Sequence, residues 1–565
     1  MRQKLPIGVD DFREIRELGL EYVDKSQLIC DLLDLDARVV LAPRPRRFGK
    51  TVNLSMLRWF FERRGEDLSG LFAGLRVWDA GDGYREHFQR HPVISLSFKG
   101  TRHDTFEGCW EALRRKIEGV FHEHRALLTT GQLSEWEERH FRAILDGTAN
   151  RAGYERSLLD LSTYLRRAHG ERVVLLLDEY DEPIHAGYTH GYAPQIIGFC
   201  RNFLTEALKG NPHLFKAVLT GILRVARESI FSGLNNIAVY SLLRPELNTC
   251  FGFTESEVEA LLDRAGEGAR LDDVRAWYNG YLFGGQVVYN PWSILSFLSS
   301  ADKRLRGYWV ATSANELIRD VLQRHALRLE EPLRALMEGG SIERRLDEDV
   351  ALSDLAHSEQ ALWSLLVFTG YLRAEEALGP PGQEPWRLAI PNREVHEVYT
   401  STFRQWLEER LARNGGGIDR LRTALLRGDA EGFARQLQAF ATDLLSFHDP
   451  GTIEPERVYH AFLLGLLGAL EPDHQVRSNR ESGRGRPDVL IRPVQAGQPG
   501  VVLELKLTGP GRTPEQALEE RLEQIREKDY AAELRAAGAA PVHAFAVAFD
   551  GKQVWARAEP ARLTR

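Results

Sequence analysis

The sequence predicts an α/β fold in three parts: a parallel sheet with helices on both faces, a mostly helical middle, and a smaller α/β segment at the C-terminal end. Three observations carry this. Over roughly the first 235 residues, short apolar runs (Val39–Ala42, Pro92–Phe98, Val173–Leu177 and Ala217–Leu219) alternate with helical patterns, as strands buried in a parallel sheet do. From about Asn236 the pattern turns helical and stays so to about Phe368. From about residue 450 apolar strands return, at Val489–Ile491 and Val501–Leu503.

Each element has a local reason. The amphipathic stretch Val52–Phe61 follows the first apolar run. Thr254-Glu255-Ser256-Glu257 reads as a capping box opening the helix that contains Val258–Leu262. Tyr371–Leu378 and Trp386–Ile390 flank the Gly/Pro-rich GPPGQEP and read as a hairpin with a long loop. Asn414-Gly415-Gly416-Gly417 reads as a linker, and Ile418–Phe447 as a helical connector. The expected domains are therefore 1–235, 236–412, a connector at 413–449, and 450–565. That division suits a chain of 565 residues, at about 100–200 per domain.

Composition excludes several classes. At 43% hydrophobic and 27% charged the chain is ordinary for a globular protein, neither fibrous nor disordered. Its longest uncharged apolar run, Ala461–Leu470, is half the ~20 residues a membrane helix needs. The opening MRQKLPIGVDDFREIREL lacks the apolar core of a secretory signal. Cys30, Cys109, Cys200 and Cys250 are scattered, which fits a reducing cytoplasm. A net charge of −8 gives no global pull toward nucleic acid, so any such contact must be a local basic patch. Arginine far outnumbers lysine, as in GC-rich bacterial genomes.

The first chemical motif is Arg44-Pro45-Arg46-Arg47-Phe48-Gly49-Lys50-Thr51, between the first strand and the first long helix. It matches the back half of a P-loop, G-x-x-x-x-G-K-[ST], with Arg44 at the first glycine. In such a loop, backbone N–H groups wrap phosphates, Lys50 reaches the β and γ oxygens, and the Thr51 hydroxyl ligates Mg²⁺. Arg46, Arg47, Phe48, Gly49, Lys50 and Thr51 are therefore the candidate nucleotide-binding residues, with Arg44 adding charge. The bland reading is a basic turn that binds nothing. Against it, Val173–Leu177 runs into Asp178-Glu179, where Asp178 would orient Mg²⁺ and Glu179 would polarise the attacking water. Another strand ends at Thr220-Gly221, at a sensor-like position. Arg224 and Arg227 share a helical face just beyond it. Each is either a γ-phosphate contact, in cis or from a neighbouring subunit of a homo-oligomer, or an ordinary surface arginine. The expected cofactors are ATP and Mg²⁺.

Pro6-Ile7-Gly8, Tyr22-Val23-Asp24-Lys25-Ser26, RPRRFGKT, Asn53-Leu54-Ser55-Met56, LLLDEYDEPI, ILRVARESIFSGLNN, FGFTESEV, WYNGY and YNPWS together resemble the bacterial AAA-ATPase-like family, over essentially the whole chain. In that family RPRRFGK[ST] is itself the usual loop, so Arg44 does not depart from its relatives. Arg227 stands where a lysine is expected. The resemblance implies a P-loop NTPase core, a helical middle, and a C-terminal PD-(D/E)XK domain of restriction-endonuclease-like fold.

The tail carries its own argument. Arg486-Pro487-Asp488 leads into Val489-Leu490-Ile491, and Val501-Val502-Leu503 runs into Glu504-Leu505-Lys506. Residues two apart on a strand share a face, so Glu504 and Lys506 project together, and pairing the strands brings Asp488 beside them. Two carboxylates hold a divalent cation, Mg²⁺ or Mn²⁺, and the lysine steadies the charge of phosphoryl transfer. Glu456 is a third candidate carboxylate. Arg480, Arg484 and Arg486 would line the mouth, and Gln524 and Lys528 would face the site from the next helix. Residues 451–565 hold 16 basic and 16 acidic side chains, so binding needs a local groove.

Two other patterns read blandly. Trp277-Tyr278-Asn279-Gly280-Tyr281 and Tyr289-Asn290-Pro291-Trp292 fit an aromatic core better than a base-stacking platform. His87 and His91, four apart, lack the further ligands of a zinc site and read as solvated histidines. The expectation is a cytoplasmic ATPase fused to a metal-dependent nuclease. It would act on nucleic acid, DNA before RNA, without a membrane, in defence or mobile-element biology. The alternatives are a nucleotide-gated switch whose tail only binds nucleic acid or protein, and a P-loop scaffold that no longer hydrolyses ATP.

Overall fold

β-Branched and leucine runs build the first sheet. Strands β1 (Val39–Pro43), β2 (Val93–Ser97), β3 (Val173–Asp178), β4 (Leu214–Gly221) and β5 (Ile237–Val239) are all parallel, in the order β2-β3-β4-β1-β5. β1 and β3 are buried along their whole length, as a sheet covered on both faces requires. The computed structural model describes residues 4–223, 236–309, 330–337, 339–350, 352–376, 385–401, 418–444, 463, 467, 473–478, 487–508, 512–550 and 553–561. The chain divides into two units, Met1–Glu397 and Val398–Arg565.

The four expected strands are present, and β4 is longer than its apolar core suggested. The fifth, β5, lies past residue 235, where it pairs with β1 in the register Val39↔Ile237. The middle region is more than helical. It holds a small hairpin, β6 (Tyr281–Phe283) with β7 (Gln286–Val288). It also holds a three-stranded sheet in which β8 (Ile342–Arg344) adds to the pair formed by β9 (Arg373–Glu376) and β10 (Trp386–Ala389). β9 and β10 form the expected hairpin, and the stretch 377–384 between them lies outside the described residues. The capping box at Thr254 forms, with Glu257 accepting from the Thr254 N–H at 2.8 Å. The same carboxylate takes the buried Lys25 ammonium at 2.6 Å, tying the middle region back to the N-terminal helices.

In the second unit, β11 (His474–Ser478), β12 (Val489–Pro493), β13 (Gly500–Leu507), β14 (Val542–Asp550) and β15 (Gln553–Pro560) form a mixed sheet in sequence order, with only β13 and β14 parallel. Its two faces have separate cores. Val489, Ile491, Val501, Leu503 and Leu505 pack with Leu421, Leu425, Phe433 and Leu437 of the helices Ile418–Arg427 and Ala430–Leu444. Leu490, Val502, Ala544 and Ala546 pack against Leu518, Leu522 and Ile525 of the helix Pro514–Lys528. The stretch expected as a connector thus contributes two core helices to this unit. The expected linker Asn414–Gly417 lies outside the described residues.

Candidate functional site

Two acidic centres form, one in each unit. The first follows from strand order. Because β4 lies between β1 and β3, Thr220 stands between the loop after β1 and the carboxylate at the end of β3. The Thr51 hydroxyl donates to Asp178 Oδ2 at 2.7 Å and the Thr220 hydroxyl to Asp178 Oδ1 at 2.6 Å. Burial raises the Asp178 pKa, against the pull of these two bonds and of Lys50. Lys50 opens the helix Lys50–Phe61, and its ammonium donates to the carbonyls of Arg44 at 3.0 Å and Pro45 at 2.9 Å. Burial holds its pKa below the ordinary lysine value despite Asp178 and Glu179 nearby.

The loop curls through two left-handed residues, Arg47 (φ 69°) and Gly49 (φ 80°), a conformation glycine takes freely and arginine does not. Arg47 is exposed, its guanidinium 4.3 Å from the Trp292 ring centroid. Arg46 is half-buried. The Phe48 ring goes inward against Tyr281 and Phe283, leaving only its backbone to the loop surface. Arg44 is a correction: it adds no charge to the loop face. Fully buried, it donates to the carbonyls of Pro43, Tyr240 and Leu247 and lies over the Phe251 and Phe283 rings. The position where most P-loops have glycine here anchors the loop from behind.

Glu179 has φ 53° and accepts from the Glu182 carboxyl, which in turn accepts from the Gly100 N–H at 3.0 Å. Burial, with Glu179 facing it, pushes the Glu182 pKa up to about 8. Asp181, two residues past Glu179, is buried. It accepts from the N–H groups of Ile222 (2.8 Å) and Leu223 (3.1 Å) and from His185. Burial pushes its pKa up, but these bonds win and hold it below the usual carboxylate range. The Tyr180 hydroxyl donates to the Leu223 carbonyl at 2.6 Å, so residues 180 and 181 clamp the chain leaving Thr220. Arg224 and Arg227 lie outside the described residues.

The second centre joins β12 to β13. Pairing of Val489 with Leu503 sets Asp488 beside Glu504. The Asp488 N–H donates to Glu504 Oε1 at 3.2 Å, and the Leu505 N–H donates to Asp488 Oδ2 at 2.8 Å. Parity puts Asp488, Glu504 and Lys506 on the face toward the helix Pro514–Lys528, as the alternation of Leu490 and Val502 shows. Glu504 is 1% exposed; burial first, then the Asp488 charge, pushes its pKa up to about 8, with Arg521 opposing. Two carboxyls within hydrogen-bonding reach, one of them buried, are a donor set suited to a hard divalent cation. Glu456, Arg480, Arg484 and Arg486 lie outside the described residues. Among the described residues no group of three His, Cys, Asp or Glu side chains is placed to hold a metal.

Sequence reasoning missed Arg521, whose Nη1 lies 3.5 Å from Glu504 Oε2. It sits one helical turn before Gln524, which accepts from it at 2.5 Å, so extending that face by three residues would have found it. Lys528 is exposed at the helix end. Tyr278, Tyr281 and Tyr289 are buried core residues, whereas Trp292 is half-buried at the loop. His87 and His91 are not solvated: they bond each other at 3.2 Å, His91 is buried against Phe215, and burial lowers its pKa to about 4. No described helix is long and apolar enough to cross a membrane.

Two family models match the chain, one within each unit. A model of the predicted AAA-ATPase family matches residues 6–231, and a model of the PD-(D/E)XK nuclease superfamily matches residues 454–559. The chain is also 29% identical over 561 residues, 97% of each chain, to the "Uncharacterized protein in vnfD 5′region" of Azotobacter chroococcum mcd 1. The chain is thus a predicted AAA-ATPase-like domain fused to a PD-(D/E)XK nuclease superfamily domain.

Proposed function

We propose that the protein binds and hydrolyses ATP at the first centre and cleaves nucleic acid, DNA before RNA, at the second. The observation that carries this is Asp178 held between the Thr51 and Thr220 hydroxyls, which joins loop, acidic strand end and neighbouring strand in one site. Bound Mg²⁺ would supply charge neutralisation for phosphoryl transfer, held by Thr51 and Asp178. Lys50 exchanges the carbonyls of Arg44 and Pro45 for phosphate oxygens, and the loop N–H groups up to Thr51 cradle them. Glu179 orients the attacking water once it leaves Glu182. At the second centre Asp488 and Glu504 hold the cation, and Lys506 steadies charge developing on the cleaved phosphate. A role in defence or mobile-element biology fits the fusion.

Glu179 bonded to Glu182 also favours a second reading, a nucleotide-gated switch that turns over little ATP and whose tail only binds. Incubating purified full-length protein with Mg²⁺ or Mn²⁺ and a panel of DNA and RNA, with and without ATP, separates the two. Cleavage together with ATP hydrolysis supports the proposal. Binding of both ligands with neither reaction supports the switch.

A further inference from the structure

Arg521 fits its position poorly for a permanent structural partner. A guanidinium paired for good with a buried carboxylate normally engages it through two short parallel bonds. Arg521 makes one long contact, Nη1 to Glu504 Oε2 at 3.5 Å, and the same nitrogen is held more firmly by Gln524 Oε1 at 2.5 Å. Its Nε is buried with no hydrogen-bond partner among the described residues. Gln524 is itself fixed by donating to the Tyr530 hydroxyl at 3.3 Å, so the guanidinium is tethered beside Glu504 rather than locked to it. The side chain is 17% exposed where Glu504 is 1% exposed, so Arg521 has a route to solvent that Glu504 lacks.

Charge gives this arrangement a consequence. A divalent cation on Asp488 and Glu504 would meet a fixed positive charge already on Glu504, and in a poorly hydrated site that repulsion is strong. A phosphodiester offers the same guanidinium a better acceptor, two oxygens spaced for its fork. We propose that Arg521 is a positioning residue that couples cation binding at Asp488 and Glu504 to the arrival of a phosphodiester backbone. It occupies Glu504 in the free protein, weakening cation binding, and a nucleic-acid phosphate draws it away. Linkage then requires that cation and nucleic acid tighten each other's binding. The inference rests on the nuclease reading of this centre.

Calorimetric titration of CaCl₂ into the full-length protein, with and without a short DNA duplex, tests it. In the wild type the duplex should tighten Ca²⁺ binding about tenfold. Arg521→Met should bind Ca²⁺ about tenfold more tightly than wild type without duplex, and the duplex should then add nothing. Arg521→Gln carries the same expectation where the methionine variant does not fold, and Arg521→Lys, keeping the charge, should restore the weak duplex-free affinity. Neutral variants that bind Ca²⁺ more weakly, or that keep the full duplex effect, overturn the role given to Arg521. A wild type that takes up neither Ca²⁺ nor Mn²⁺ overturns the nuclease reading itself.

Discussion

Lys50 donates to two loop carbonyls and Glu179 accepts from the Glu182 carboxyl, so both are engaged within the protein. Their roles differ, and substitution should separate them. Lys50→Ala should reduce ATP binding at least about 100-fold, the loss of a charge-assisted contact in a buried site, as read by fluorescent nucleotide titration. Glu179→Gln should bind ATP as wild type does and lose turnover by a factor on the order of 10²–10⁴. Wild-type affinity in the Lys50→Ala protein would sink the assignment of the loop.

A residue outside both centres sets a pH dependence. Glu394 is fully buried, accepts from the Ser293 hydroxyl and the Trp309 N–H at 2.7 Å each, and burial pushes its pKa from 4.5 up to about 7. The folded protein therefore holds this proton more tightly than the unfolded chain. The resulting stability is complete below pH ~4.5 and is lost as pH rises through about 7, a change of about 3 kcal/mol. Glu394→Gln should flatten that part of the urea-midpoint profile. A variant whose profile still falls as steeply as wild type would assign the dependence elsewhere.

Among elements, the end of β4 is the most tightly constrained. A Cβ on Gly221 would come within 2.7 Å of Asp181 Oδ1 and 2.8 Å of the Tyr180 ring, the two side chains that clamp Ile222 and Leu223. Gly221→Ala should cost about 1–3 kcal/mol and, by shifting Thr220, depress ATP turnover more than ATP affinity. Unchanged kcat with a lowered melting point would make the clamp merely structural. The elements themselves were largely legible. Short apolar runs alternating with helical patterns gave β1 to β4, and the spacing of Asp488, Glu504 and Lys506 gave their shared face. β5 was not, because Ile237–Val239 is only three half-buried residues whose partner is nearly 200 positions earlier. Arg44, Asp181 and Arg521 were misread or missed for a related reason. A charged side chain's burial depends on carbonyls and N–H groups contributed by distant segments, and no local pattern records those.

At the scale of the molecule, each unit has its own sheet and its own acidic centre, so their chemistries should separate. Mn²⁺ at 100 times its dissociation constant should stabilise the second unit by about 2.7 kcal/mol, seen as a melting shift that Glu504→Ala erases while the shift given by ATP remains. If Arg224 or Arg227 acts from a neighbouring subunit, ATP turnover per chain should rise with protein concentration. A strictly constant specific activity would remove that role. The most direct test follows labelled DNA and ATP in the same Mg²⁺ reaction, comparing wild type with Glu504→Ala. The two-centre account predicts that Glu504→Ala loses cleavage and keeps ATP turnover; cleavage at the wild-type rate by Glu504→Ala would contradict it.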